Sequence, residues 1–228
     1  MAHNVENPQE AVVAEAVSKT ETFFENNGKK IVIALVALAL LVAGGYTYKT
    51  LVLDRGAERA AELIVEAQNR FAVENPDFAL ALNGDEAGAG FLDVVEQYGS
   101  TPSGNLAKHY AGVCYLRLGD LENAEKYLAQ YNAVAGLPGE VLNAQNLGLR
   151  GDVAVELGDL KGAVALFEKA VKASANNYTA PLYTFKKALV LAALGDKAGV
   201  EACYEALKAD YSNATETREV EKLLGSLQ

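Results

Sequence analysis

The sequence predicts an all-α protein: a single transmembrane helix followed by a solenoid of helical repeats. Three observations carry that expectation. Residues 31–48 read IVIALVALALLVAGGYTY, without one charge. Leu-Gly-Asp recurs at 118–120, 157–159 and 194–196. Each triplet is flanked on both sides by apolar residues at helical spacing, as in LAKHYAGVCYLR before the first and LENAEKYLAQY after it.

The apolar run comes first. With its extension to Leu53 it gives roughly 27 to 35 Å of helix at 1.5 Å per residue, against about 30 Å of bilayer hydrocarbon. Lys29 and Lys30 stand at one edge, and Tyr46, Tyr48 and Lys49 suit the opposite interface. A cleaved signal peptide would need a short basic leader, whereas the residues before the run carry Glu6, Glu10, Glu15, Glu21 and Glu25. A retained anchor is therefore expected. Arg55, Arg59 and Arg70 nearly balance Lys29 and Lys30, so the orientation rests on the large following domain, which is translocated regardless of charge. That places the amino terminus inside and the repeats outside. Ala37 and Gly44 lie seven residues apart and offer a small-residue face to another membrane helix, although such residues are also common in spans without a partner. Ahead of the anchor, residues 8–26 suit a short amphipathic helix with Asn7 as its N-cap and Pro8 in its first turn. Val12, Val13, Ala16 and Val17 form its apolar side, and both an interfacial helix and a solvated tail fit.

Spacings of 39 and 37 residues between the triplets imply helix–turn–helix units that bury their apolar faces only by stacking on one another. Capping elements are expected at both ends: a degenerate leading pair from 57–72 and 91–98, and an amphipathic closing helix over 215–227. The expected organisation is a tail at 1–28, a transmembrane helix at 29–53, leading helices at 54–104, three repeat units at 105–211 and a capping helix at 212–228.

Composition narrows the function. Thirty acidic residues against twenty basic ones give a net charge of −10, which opposes binding to nucleic acid phosphates. Cys114, Cys203, His3 and His109 have no metal-ligand spacing, and no Ser, Cys or carboxylate constellation surrounds His109. Residues 84–90, GDEAGAG, lack the Lys and Ser/Thr of a phosphate loop and read as a turn. Neither an enzyme nor a cofactor is expected.

The repeats resemble the tetratricopeptide (TPR) family. With the triplet glycine at the family's turn, Gly112, Gly151 and Ala188 fall where the first helix of each unit packs closely on the second. Ala124 and Ala163 fall at the next tight contact, and Leu128, Phe167 and Tyr204 become the bulky residues of the second helices. Val200, Tyr131 and Leu207 depart from the pattern. Over almost the whole chain, the anchor, ALNGDEAGAGFLDVVEQYGST, GNLAKHYAGVCYLRLGD and the repeats together resemble the YfgM-like tetratricopeptide proteins of the Bacteroidetes type. That resemblance implies a single-pass protein of the bacterial inner membrane, with its amino terminus cytoplasmic and its TPR domain periplasmic. It implies an ancillary subunit of the SecYEG translocon, working with a PpiD-type membrane-anchored chaperone on translocated polypeptides.

The resemblance also implies which residues face a partner. The concave-face positions of the family fall on Leu106, His109, Val113 and Leu116 in the first unit, Gln145 and Asp152 in the second, and Leu182, Phe185 and Leu189 in the third. No ring of Lys, Arg and Asn forms the carboxylate clamp of some relatives, so side-chain packing on an extended or helical segment is expected. A scaffold for another envelope secretion or assembly complex is the alternative, because one repeat fold serves both.

Overall fold

The computed structural model describes residues 8–227, with side chains from residue 27 onward except at 32, 52 and 53. Asn7, expected as an N-cap, and the apolar side expected at 12–17 lie outside what is described. The chain divides into two compact units, one ending at Arg55 and the other beginning at Gly56.

In the first unit a single helix, α1 (Pro8–Tyr48), runs without a break through the boundary expected at 28. A π-type turn over Lys49–Asp54 follows it. The apolar part of α1 is long and hydrophobic enough to cross a membrane, and none of that stretch is buried within the protein. Its large side chains point outward, Leu41 reaching 75 % exposure. Water penalises such a surface strongly and a hydrocarbon layer does not. Thr47 and Thr50 return their hydroxyls to the carbonyls of Ala43 and Tyr46, which satisfies polar side chains inside the helix.

The second unit is helical apart from one minimal hairpin among the described residues. It comprises α2 (Arg55–Phe71), α3 (Phe78–Asn83), β1 (Gly84–Asp85), β2 (Gly88–Ala89), α4 (Phe91–Tyr98), α5 (Pro102–Leu118), α6 (Leu121–Ala129), α7 (Gly139–Glu156), α8 (Leu160–Ala173), α9 (Thr179–Ala193), α10 (Lys197–Asp210) and α11 (Thr215–Ser226). Each of α5 to α10 packs on the next, so α5/α6, α7/α8 and α9/α10 are stacked pairs. The closing helix α11 packs on both α9 and α10, with Val220 fully buried against Val200 and Leu207. At the other end Ala60, Ile64 and Ala67 of α2 share a core with Phe91 and Val94 of α4 and with Ala107 and Ala111 of α5.

The three triplets do the same work. Gly119, Gly158 and Gly195 have φ of 82°, 80° and 75°, the left-handed region that closes a helix. In the first, Gly119 N–H donates to Leu116 O and Asp120 N–H to Tyr115 O, and the other two repeat this Schellman pattern. Each aspartate then starts the next helix: Asp120, Asp159 and Asp196 accept from the backbone N–H of Asn123, Gly162 and Gly199. One tripeptide thus ends a helix and begins its partner. The triplet leucine, the last residue before the glycine, is left on the outside at all three turns.

The 84–90 segment is a two-residue hairpin pinned to α2. Arg70 donates to the Asp85 carboxylate at 2.6 Å and to Gly88 O at 3.1 Å, and Glu66 accepts from Ala89 N–H. Its own Asp85 carboxylate accepts the N–H groups of Ala87 and Gly88.

Candidate partner-binding face

The close contacts within a pair depend on what stands opposite the bulky residue of its second helix. A Cβ on Gly112 would come within 2.5 Å of Leu128, and one on Gly151 within 2.6 Å of Phe167. Both large side chains are accordingly buried. Ala188 already carries that methyl in the third pair, and Tyr204 does not enter: it is half-buried, with its hydroxyl donating to Glu221. Val200, Cys203 and Leu207 fill the core in its place. Tyr204, expected as the bulky residue of α10, packs at the edge of that core where Leu128 and Phe167 are fully inside theirs.

The first helices α5 and α7 frame two grooves. One, of about 500 Å³, lies between their amino-terminal halves and the 131–138 connection, and it includes Leu106, Tyr110, Leu137, Leu142 and Gln145. The other, of about 510 Å³, lies between their carboxyl-terminal halves and includes Val113, Leu116, Arg117, Leu149, Asp152 and Glu156. The residues expected to face a partner are therefore split. Leu106 and Gln145 line the first groove, whereas Val113, Leu116 and Asp152 line the second.

Four of the nine differ from a free contact surface. His109 is 5 % exposed and Asn146, on α7, 4 %. Asn146 Nδ2 lies 3.2 Å from His109 Nδ1, so the amide donates and the neutral ring carries its proton on Nε2. Burial pushes the His109 pKa down to about 4. This histidine joins the first two repeats, and its ring sits edge-on to Tyr110 and Tyr131. Asp152 is engaged by Lys186 of α9, whose Nζ is 2.7 Å from both carboxylate oxygens. Leu182 and Phe185 pack against the two cores on either side of α9. Of the three residues expected on α9, Leu189 stands well out, at 43 % exposure. On α1, Ala37 is exposed, and nothing lies within 4 Å of a Cβ built on Gly44.

Sequence reasoning missed the 131–138 connection. It is held firmly: the Asn143 side chain accepts from Tyr131 Oη and Val134 N–H and donates to Val134 O, while Asn105 exchanges two hydrogen bonds with the Asn132 backbone. The signal available in the sequence was the pair of asparagines, each placed to bind backbone that has no helical partner.

Nucleophilic chemistry has little support in this geometry. Cys114 and Cys203 are free and buried in separate cores, and burial raises the Cys114 thiol to about 12. Among the described residues no group of three or more His, Cys, Asp or Glu is arranged to hold a metal.

A family described as tetratricopeptide repeat matches residues 110–132 and 144–177, which cover the second half of α5, all of α6, most of α7 and all of α8. No curated protein matches. Among solved structures, the crystal structure of MamA is similar with a TM-score of 0.38 and 14 % identity, over 60 % of this chain and 86 % of that one.

Proposed function

We propose that this chain, which carries tetratricopeptide repeats and one membrane-length apolar helix, is an anchored interaction protein of the bacterial inner membrane. Its amino terminus lies in the cytoplasm and its repeats lie in the periplasm. There it serves as an ancillary subunit of the SecYEG translocon and works with a PpiD-type chaperone in handling translocated proteins. The observation that carries the reading is the combination, on one chain, of an outward-facing uncharged helix with a helical stack that keeps two open grooves between its first helices. The anchor confines the stack to the bilayer surface, and the grooves are concave places for a partner segment. The translocon and the chaperone are supported by the sequence resemblance through LALNG, GFLDVV and NLAKHYAG. The outward orientation is supported by the size of the domain that follows a nearly charge-balanced span.

Two measurements test it together. Protease added to intact spheroplasts should digest the 56–228 domain; protection until lysis reverses the orientation. Purification of the tagged full chain in a gentle detergent, with quantitative mass spectrometry, should recover SecY and the PpiD-type chaperone in stoichiometric amounts. Recovery of a different envelope assembly in their place would transfer the same scaffold role to that assembly.

A further inference from the structure

The two grooves differ chemically, and the difference selects an occupant. This inference rests on the interaction role just proposed and narrows it. None of the residues lining the groove at the amino-terminal ends of α5 and α7 is charged, in a chain with net charge −10. The other groove carries Arg117, Asp152 and Glu156. The uncharged groove has Leu106, Tyr110 and Leu142 in its lining, all half-buried. Its outer wall is the 131–138 connection, which presents Leu137 at 80 % exposure and Val134 at 47 %. That connection is not slack. The side chains of Asn143 and Asn105 make four hydrogen bonds to the backbone of Asn132 and Val134 and a fifth to Tyr131 Oη. Gly136 O accepts from Glu140 N–H, so Val134 and Leu137 stand on a stretch tied at both ends. Fixed apolar exposure of this kind beside an apolar groove marks an interaction site.

We propose that this groove binds an extended, uncharged, apolar segment of a partner polypeptide. A charged segment would have to shed water there without gaining a counter-charge, and that cost excludes it. Gln145 adds polarity of the right kind. It is exposed at the groove wall, and its amide has no hydrogen-bond partner among the described residues, so it has a donor and an acceptor to offer a main-chain amide. Apolar side chains of the segment pack on Leu106, Tyr110 and Leu142 while Leu137 covers them. Gln145 fixes the segment's backbone rather than its sequence, so recognition is tolerant of sequence and intolerant of charge.

The full chain in lipid nanodiscs, where no detergent competes for the groove, is incubated with an array of capped random peptides of roughly ten residues. Captured peptides should be enriched in Leu, Ile, Val and Phe and depleted of Asp, Glu, Lys and Arg. Leu137→Glu and Gln145→Glu both alter exposed positions and leave the fold in place, as circular dichroism checks, and each should weaken capture by about tenfold. Glu201→Gln on α10, exposed and outside both grooves, should leave capture unchanged. Charged peptides among the binders, or indifference to both groove variants, overturn the assignment of this groove while leaving an interaction role standing. Capture of no peptide by the parent protein fails the interaction reading itself. A sedimentation experiment covers self-association: a dimer abolished by Leu137→Glu makes a second copy of this chain the occupant and overturns the proposal.

Discussion

His109 shows how one side chain can tie two repeats together and leave a measurable trace. It is neutral and buried between α5 and α7, with Asn146 donating to it. Its pKa is about 4 in the folded protein against an ordinary 6.5. On acidification the unfolded chain therefore takes the proton first. The stabilising contribution is complete above pH 6.5 and is lost as the pH falls toward 4, amounting to about 3 kcal/mol over that window. Denaturant melts of the parent and of His109→Gln across pH 4 to 7 should differ by that pH-dependent amount; parallel curves would show that the ring is not buried. Gly151 makes a second residue-scale case. The Phe167 ring occupies the space of its missing side chain, so Gly151→Leu should destabilise by about 3 kcal/mol through overpacking. Adding Phe167→Ala should restore part of the loss, because the cavity and the extra side chain coincide. A double-mutant cycle with no coupling would disprove the contact.

At the scale of the helix, the Leu-Gly-Asp turn is a joint with two separable halves. Asp159 caps α8 through the N–H of Gly162, so Asp159→Ala should cost about 1 kcal/mol. Gly158 sits at φ 80° with open space around it. Gly158→Ala should cost about 1 kcal/mol through backbone strain alone, with no clash to relieve. Urea melts of the two single variants and the double variant should be nearly additive, since one change acts at the end of α7 and the other at the start of α8. A double variant no worse than either single would show that the joint forms as one unit. Charge pairs between helices reinforce the stack: Arg150 of α7 grips Glu125 of α6 through two nitrogens, and Lys186 of α9 holds Asp152 of α7. Both pairs are partly exposed, so each orients its helices more than it stabilises them.

For the molecule as a whole, the division at Arg55 and Gly56 separates a unit whose long apolar helix is exposed from a unit with buried cores. The 56–228 unit has its own continuous cores and a closing helix at its end. Expressed alone, it should be recovered in the soluble fraction and melt cooperatively. The full chain should stay in the membrane pellet after alkaline carbonate washing. Extraction of the full chain by carbonate would mean that the apolar part of α1 is covered by protein instead of lipid.

What the sequence determined by itself is what depends on neighbours along the chain. An uncharged run of membrane length, a glycine that must be left-handed, an aspartate three residues before an open N–H and apolar residues at helical spacing are all local physics. They reveal the all-α class and the three paired units, whereas Gly112 and Gly151 opposite Leu128 and Phe167 come from the resemblance to tetratricopeptide repeats. The remainder is decided between residues that the chain brings together from afar. His109 meets Asn146 across 37 residues and Asp152 meets Lys186 across 34. Positions expected on an open face are thereby buried or paired. In α10 the core is filled by Val200, Cys203 and Leu207, with Tyr204 at its edge. The uncharged groove likewise depends on the path of the 131–138 connection, which Asn105 and Asn143 fix from two different helices. Helical spacing names the face a residue is on, but whether that face meets water, a core or a counter-charge is settled only when the neighbouring helix arrives.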